Sequence, residues 1–153
     1  MSDESLRASR LIEILGGAGW FDGRRVSVEP ALSAWRADGH TPSSAAIDFV
    51  SEFNDLSFAY PRSAAVGGMD NCSLDAIAAT GAIFSSVVRE YEGRTREILC
   101  PVGQAASGHI TLLVGNSGRV YGGYDRFLAA YGENGRTAIV AIYDRMRPVG
   151  VEG

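Results

Sequence analysis

Apolar residues fall at helical spacing near both ends of the chain, with short continuous apolar runs between. Leu11 and Leu15, widened by Ala8, Ile12 and Ile14, predict an amphipathic helix over Leu6–Leu15, capped by Ser2 or Asp3 and stopped by Gly16-Gly17. Gly19-Trp20-Phe21-Asp22-Gly23 then reads as a turn with two adjacent aromatics. Leu32 and Trp35 mark a short helix from Pro30 to Ala37. Thr41-Pro42 opens the next helix as N-cap and first residue, and Ala46, Phe49, Val50 and Phe53 form its stripe. Ile83, Val87 and Tyr91, four apart, predict a helix ending at Gly93, although their β-branched content also suits a strand. Tyr124–Tyr131 reads as a helix stopped by Gly132. A last helix follows Gly135-Arg136-Thr137, with Ile139, Ile142, Tyr143 and Met146 inward and Pro148 beyond.

The strands lie between. Leu56–Tyr60 is one, stopped by Pro61. Leu99–Gly103, Ile110–Val114 and Arg119–Tyr121 form a meander, the last two joined by the turn Gly115-Asn116-Ser117-Gly118. Pro101, with no N–H for a ladder, puts its segment at a strand end or sheet edge. Arg62–Leu74, rich in small polar residues, reads as a loop, after which Asp75 caps a short segment. Helices first, strands in the middle and helices last give an α+β class: a small antiparallel meander packed by N- and C-terminal helices. With no repeats and no long linker, residues 1–153 read as one domain.

Charge adds an asymmetry. Residues 1–76 carry eleven acids against six arginines, and residues 77–153 seven against eight. Asp48, Glu52, Asp55, Asp70 and Asp75 face only Arg62 in their stretch. Such a segment disfavours nucleic acid and suits a basic protein partner, though it equally suits a solvated acidic surface. No apolar run nears the roughly 20 residues that span a bilayer, and the acidic Met1-Ser2-Asp3-Glu4 is unlike a secretory leader, so no membrane partner and a cytoplasmic location are expected.

Candidate chemistry is sparse. Cys72, Cys100, His40 and His109 lack paired metal-ligand spacing, so no metal and no cofactor is expected; two packed thiols and two surface histidines explain them as well. A nucleophilic pair of Cys72 or Cys100 with His109 is the remaining enzymatic alternative. Cys72, in the expected loop, is the better placed of the two thiols, although its flanking acids oppose a thiolate. Gly16-Gly17-Ala18-Gly19 follows a helix rather than a strand and lacks a P-loop lysine. Asp48 and Glu52 fit an exposed helix edge, and Trp20, Phe21 and Trp35 fit a core. These residues describe a domain that binds rather than catalyses.

A first helix leading to Gly19-Trp20-x-x-Gly23-Arg24, then Ala45-Ala46-x-x-Phe49-Val50-x-x-Phe53-Asn54-Asp55-Leu56, Leu99-Cys100-Pro101-Val102-Gly103, Gly118-Arg119-Val120-Tyr121 and Ala138-x-x-Ala141-Ile142 resembles, over residues 6–147, the SUKH superfamily, and within it the third group of immunity proteins. The resemblance implies a non-enzymatic α+β domain that binds and neutralises a cognate toxin, often a nuclease or nucleic-acid deaminase; a general protein-interaction domain with no toxin partner is the alternative beside the cysteine enzyme. Gly19, Trp20, Gly23 and Arg24 match the motif, and we read them, with Pro101, Gly103 and Gly118, as structural. Local acidity and the expected loop put the partner-binding surface at Asp55, Tyr60, Arg62, Asp70 and Asp75.

Overall fold

The computed structural model describes the backbone of residues 3–153 and the side chains of residues 5–153. Helix α1 (Asp3–Leu15) buries Leu11, Ile14 and Leu15 at i, i+3 and i+4, a narrower stripe than expected that leaves Ile12 exposed. The cap assigned to Ser2 or Asp3 lies outside the described residues. A 3₁₀ turn (Gly16–Ala18) follows, and the left-handed residue that ends it is Gly19 (φ 114°), not Gly16 or Gly17. Helix α2 (Glu29–Ala37) buries Leu32 and Trp35, and α3 (Ser44–Phe53) buries Ala46, Phe49, Val50 and Phe53. The cap of α3 is Ser43, whose hydroxyl accepts the Ala46 N–H at 3.1 Å. The start therefore falls two residues beyond the expected Thr41-Pro42.

Seven strands form one antiparallel meander in chain order: β1 (Leu56–Pro61), β2 (Met69–Leu74), β3 (Leu99–Ala105), β4 (Ile110–Gly115), β5 (Val120–Tyr124), β6 (Phe127–Gly132) and β7 (Val149–Gly150). The α+β class holds, with a larger sheet than expected. Residues 69–74, expected in a loop, are β2, paired in unbroken register with β1 from Leu56↔Leu74 to Pro61↔Met69. Only Cys72 and Leu74 of that strand are buried, so its apolar alternation is too sparse to read from sequence. Residues 127–132, expected in a helix, are β6. The spacing of Tyr124, Phe127, Leu128 and Tyr131 mimics a helical stripe, but Asp125 turns left-handed (φ 47°) and Tyr124 pairs with Phe127. Gly122 in β5 makes room for β6, since a Cβ there would lie 2.6 Å from the Tyr131 ring, and Gly123 makes room for the helix that packs on the sheet, since a Cβ there would lie 2.6 Å from the ring of Tyr91.

Pro101 stands on an unpaired stretch of strand edge, as expected, but inside its strand rather than at the end. That strand is β3, the third of seven, and it bulges where the register with β4 shifts between Pro101 and Gly103. Strand β2 pairs with β3 only at Ser73↔Gln104, so the side of β3 to which Pro101 turns its backbone carries no ladder and needs no N–H there. Helix α4 (Ala76–Gly81) is short. Helix α5 (Ser85–Thr95) runs through Gly93 and ends at left-handed Arg96 (φ 59°). Helix α6 (Gly135–Tyr143), capped by Asn134, buries Ile139 and Ile142, and Met146 lies beyond it, exposed.

Two apolar clusters result. The larger joins α1, α2, α3 and α6 to β1–β5 through residues such as Leu11, Trp35, Phe53, Phe58, Leu112 and Ile139. In the smaller, Val88 and Tyr91 of α5 cover Leu99, Leu113, Tyr121 and Leu128. On β1 and β2 the residues alternating with the core positions, among them Ser57, Ala59, Met69 and Asn71, stay exposed.

Candidate functional site

All five residues expected at a partner surface belong to the β1–β2 ribbon or its immediate ends. The ribbon splits them into two groups. Asp55, left-handed at φ 70°, donates its N–H to the Leu74 carbonyl at 2.7 Å where β1 begins. Beside it, Asp75 caps α4 by accepting the Ala78 N–H at 3.0 Å, and the Asn54 side chain accepts the Ala76 N–H at 3.0 Å. Two carboxylates are thus held at one end of the ribbon.

The other end carries Tyr60, Arg62 and Asp70. Arg62 lies 3.7 Å from Asp70, whose carboxylate also accepts the Ser107 hydroxyl at 3.0 Å. Ser107 Oγ in turn accepts the Asn71 N–H at 3.2 Å, tying the 3₁₀ turn (Ala106–Gly108) to the ribbon. Ala106, Ser107 and Asp125, all non-glycine with positive φ, stand at this end of the sheet, as do Gly67, Gly68 and Gly108. Tyr60 does not share the exposure expected of it. It is buried, and its hydroxyl accepts the Ala106 N–H at 2.8 Å, so it supports the turn from beneath. Asp70 and Asp75, five residues apart on extended chain, are separated by about 16 Å. The acids of residues 48–75 therefore do not form one continuous patch.

Asp48 and Glu52 lie elsewhere, on α3, beside a groove of about 730 Å³ floored by Phe49, Phe53 and Val114. Sequence reasoning treated Glu52 as a surface acid. It is a hub instead. Trp20 Nε1 donates to its carboxylate at 3.2 Å and Arg136 Nε at 3.0 Å, while Arg136 also reaches Asp22 at 2.8 Å and lies over the Trp20 ring. Arg24 donates to the carbonyls of Glu52 (2.7 Å) and Asn54 (2.9 Å), which α3 leaves unpaired at its C-terminal end. Of the neighbouring aromatics, Trp20 is buried and Phe21 exposed. Gly23 (φ 90°) and Gly118 (φ 97°) sit in turns that require the left-handed conformation.

The sequence reading also passed over Glu97. Its carboxylate accepts the Tyr121 hydroxyl and the Ser117 N–H (2.8 Å), clamping the β4–β5 turn against the start of β3. Burial pushes this carboxyl up, but the hydrogen bonds from Tyr121 and Ser117 and the nearby Arg119 outweigh it and hold the group below its ordinary value.

Cys72 is not in a loop. It is fully buried on β2, and burial alone pushes its thiol far up. Cys100, also buried, donates to the Thr41 carbonyl at 3.3 Å, and burial leads the causes that push its thiol up to about 11. His109 is exposed, and no hydrogen bond joins it to either thiol among the described residues. His40, expected at the surface, is buried and accepts from Arg89 through Nδ1 at 2.6 Å. Among the described residues no three His, Cys, Asp or Glu side chains gather to hold a metal ion, and no helix is long and apolar enough to cross a membrane.

No curated protein and no solved structure matches the chain. The SUKH-3 immunity protein family model matches residues 8–144, from within α1 to the residue after α6, and the chain belongs to that family.

Proposed function

We propose that this protein is a non-enzymatic immunity protein, acting as one domain in the cytoplasm, that binds a basic cognate toxin and blocks it. The match to immunity proteins over residues 8–144 is the observation that carries this reading. Burial of both thiols supports binding over catalysis, since a nucleophile must be reached by its substrate and ionise near neutral pH. A nuclease or nucleic-acid deaminase is the toxin class that the excess of acid in residues 1–76 suits. Carboxylates held on a rigid frame steer a basic groove into register and mask its phosphate-binding side chains.

In this reading Asp55 and Asp75 supply the electrostatic end of the binding surface, and Arg62 and Asp70 the other, with Tyr60 supporting the second from below. The ribbon suits the role because it is paired along its length and exposed on one face. Isolation of the tagged protein from its own cells, with bound proteins identified by mass spectrometry, tests the reading. One basic polypeptide in stoichiometric amount is the expected result. Recovery of no such protein from cells that express the candidate toxin refutes it. For the surface, Asp55→Asn keeps a residue tolerant of positive φ, and Asp75→Asn keeps a cap. Together they should slow association at low salt and flatten its salt dependence, and an unchanged rate removes both residues from the surface.

A further inference from the structure

The two outer strands of the sheet differ. Strand β7 has two residues, too short to template a neighbour, whereas β1 has six. The Arg62 N–H donates to the Gly68 carbonyl at 2.9 Å, which fixes the alternation of the β1–β2 ladder. By that alternation Tyr60, Phe58 and Leu56 turn their backbone groups toward β2, and Ser57, Ala59 and Pro61 turn theirs away. These three residues are exposed, and among the described residues no other strand pairs with this edge. No charged side chain stands between Asp55 and Arg62, and the one guard of this edge, Pro61, blunts only its last position, which leaves Ser57 and Ala59 open to strand addition.

We propose that this edge pairs with the same edge of a second copy, antiparallel about Phe58, so that two sheets become one. In that register Ser57 of each copy faces Ala59 of the other, and both free N–H groups of each strand meet a carbonyl. The next residues outward close the ladder. Asp55 faces Pro61 of the second copy, and neither has an N–H to offer: that of Asp55 is given to Leu74, and Pro61 has none. The backbone hydrogen bonds set the two strands about 4.8 Å apart.

Charge selects a second copy as the occupant and sets its direction. Asp55, at the start of the free stretch, makes no ion pair among the described residues, and Arg62, at its end, is held only at 3.7 Å by Asp70. Antiparallel pairing brings Asp55 of each copy beside Arg62 of the other, so toxin binding through these two residues competes with pairing. A parallel arrangement would set like charges together. A two-fold axis through Phe58 satisfies both ends at once and closes the assembly at two chains.

Light scattering on the intact protein across a wide range of concentration tests this. The mass should move from the 16.2 kDa of the monomer to twice that value. Ala59→Pro removes an N–H that β2 does not use, so it should weaken the dimer about ten-fold or more while leaving the circular dichroism of the fold in place. Arg62→Glu, which leaves the strand backbone untouched, should weaken it as well and decides the matter if the proline variant fails to fold. On the unsubstituted protein, exchange at the Ser57 and Ala59 amides should slow as concentration rises. A monomer at every concentration overturns the proposal, as does a dimer whose stability Arg62→Glu leaves unchanged or whose Ser57 and Ala59 amides exchange freely.

Discussion

Trp35 donates its indole N–H to the carbonyl of Pro101 at 2.8 Å, across 66 residues of chain. The bond falls at the β3 bulge, on the side of β3 that β2 leaves unpaired, where a proline is tolerated. The proline supplies no N–H, the register shifts past it, and its carbonyl is taken by a side chain that is fully buried. Trp35→Phe keeps an aromatic ring there but leaves the carbonyl unpaired. It should cost about 1–3 kcal/mol of stability by urea titration.

Gly103, two residues on, is needed for a different reason. A Cβ at that position would lie 2.7 Å from the Ser73 carbonyl oxygen, which is backbone and cannot swing aside. Strands β2 and β3 share the single register pair Ser73↔Gln104 there, so little ladder exists to absorb the strain. Gly103→Ala should destabilise by about 1–3 kcal/mol. Gly17→Ala, with nothing within 4 Å, should be close to neutral in the same denaturation assay.

The Glu97 clamp predicts an acid-dependent loss of stability. The folded carboxyl sits below its ordinary value of 4.5, so the unfolded chain binds the proton first as pH falls. The stabilisation is therefore complete above the ordinary value and is lost as pH drops through the folded one. Glu97→Gln should be less stable than the parent at neutral pH, and the two urea midpoints should converge on acidification below that range. Midpoints that stay a constant distance apart would show that the charge is not what matters.

His40 behaves in the same sense from a higher starting point. Burial first, and then the Arg89 charge, push it below its ordinary 6.5, with Asp38 and Glu92 opposing. Protonation would also set two donors against each other where Nδ1 now accepts from Arg89. Parental stability should decline as pH falls below 6.5. His40→Asn, whose amide oxygen can accept from Arg89 without titrating, should flatten that decline in thermal melts at stepped pH.

The thiols give a direct check on the cysteine-enzyme alternative. With Cys72 and Cys100 both fully buried, neither should react with a disulfide reagent in the native protein, and both should react once it is unfolded in urea. A thiol that reacts at once in the native state would reopen that alternative.

How much was legible in the sequence varies with how local the deciding physics is. The stripe Ala46-Phe49-Val50-Phe53, the Gly115–Gly118 turn and the Asp75 cap were readable because each depends on neighbours within a turn or two. The α+β class followed from the order of such elements, and the spaced motifs from Gly19 to Ile142 pointed to the family that the match over residues 8–144 establishes. Strand β2 was hidden because a polar segment becomes a strand only when β1 lies beside it to satisfy its backbone. Strand β6 was hidden because its apolar spacing fits a helix until β5 pairs with it. Pro101 was legible as an edge residue from its chemistry alone, whereas its partner Trp35, remote in sequence, was not.

For the candidate site the division is the same. Sequence by itself determined that residues 48–75 are acidic, that Asp55 breaks the α3 pattern and that Asp75 can cap a helix, since charge and capping chemistry belong to single residues. Only the tertiary structure decided that Tyr60 points inward, that Asp70 and Asp75 stand at opposite ends of one ribbon, and that both thiols are sealed in the core. Burial and separation are properties of how distant segments pack, and hydrogen-bonded register, not composition, sets where each side chain ends up.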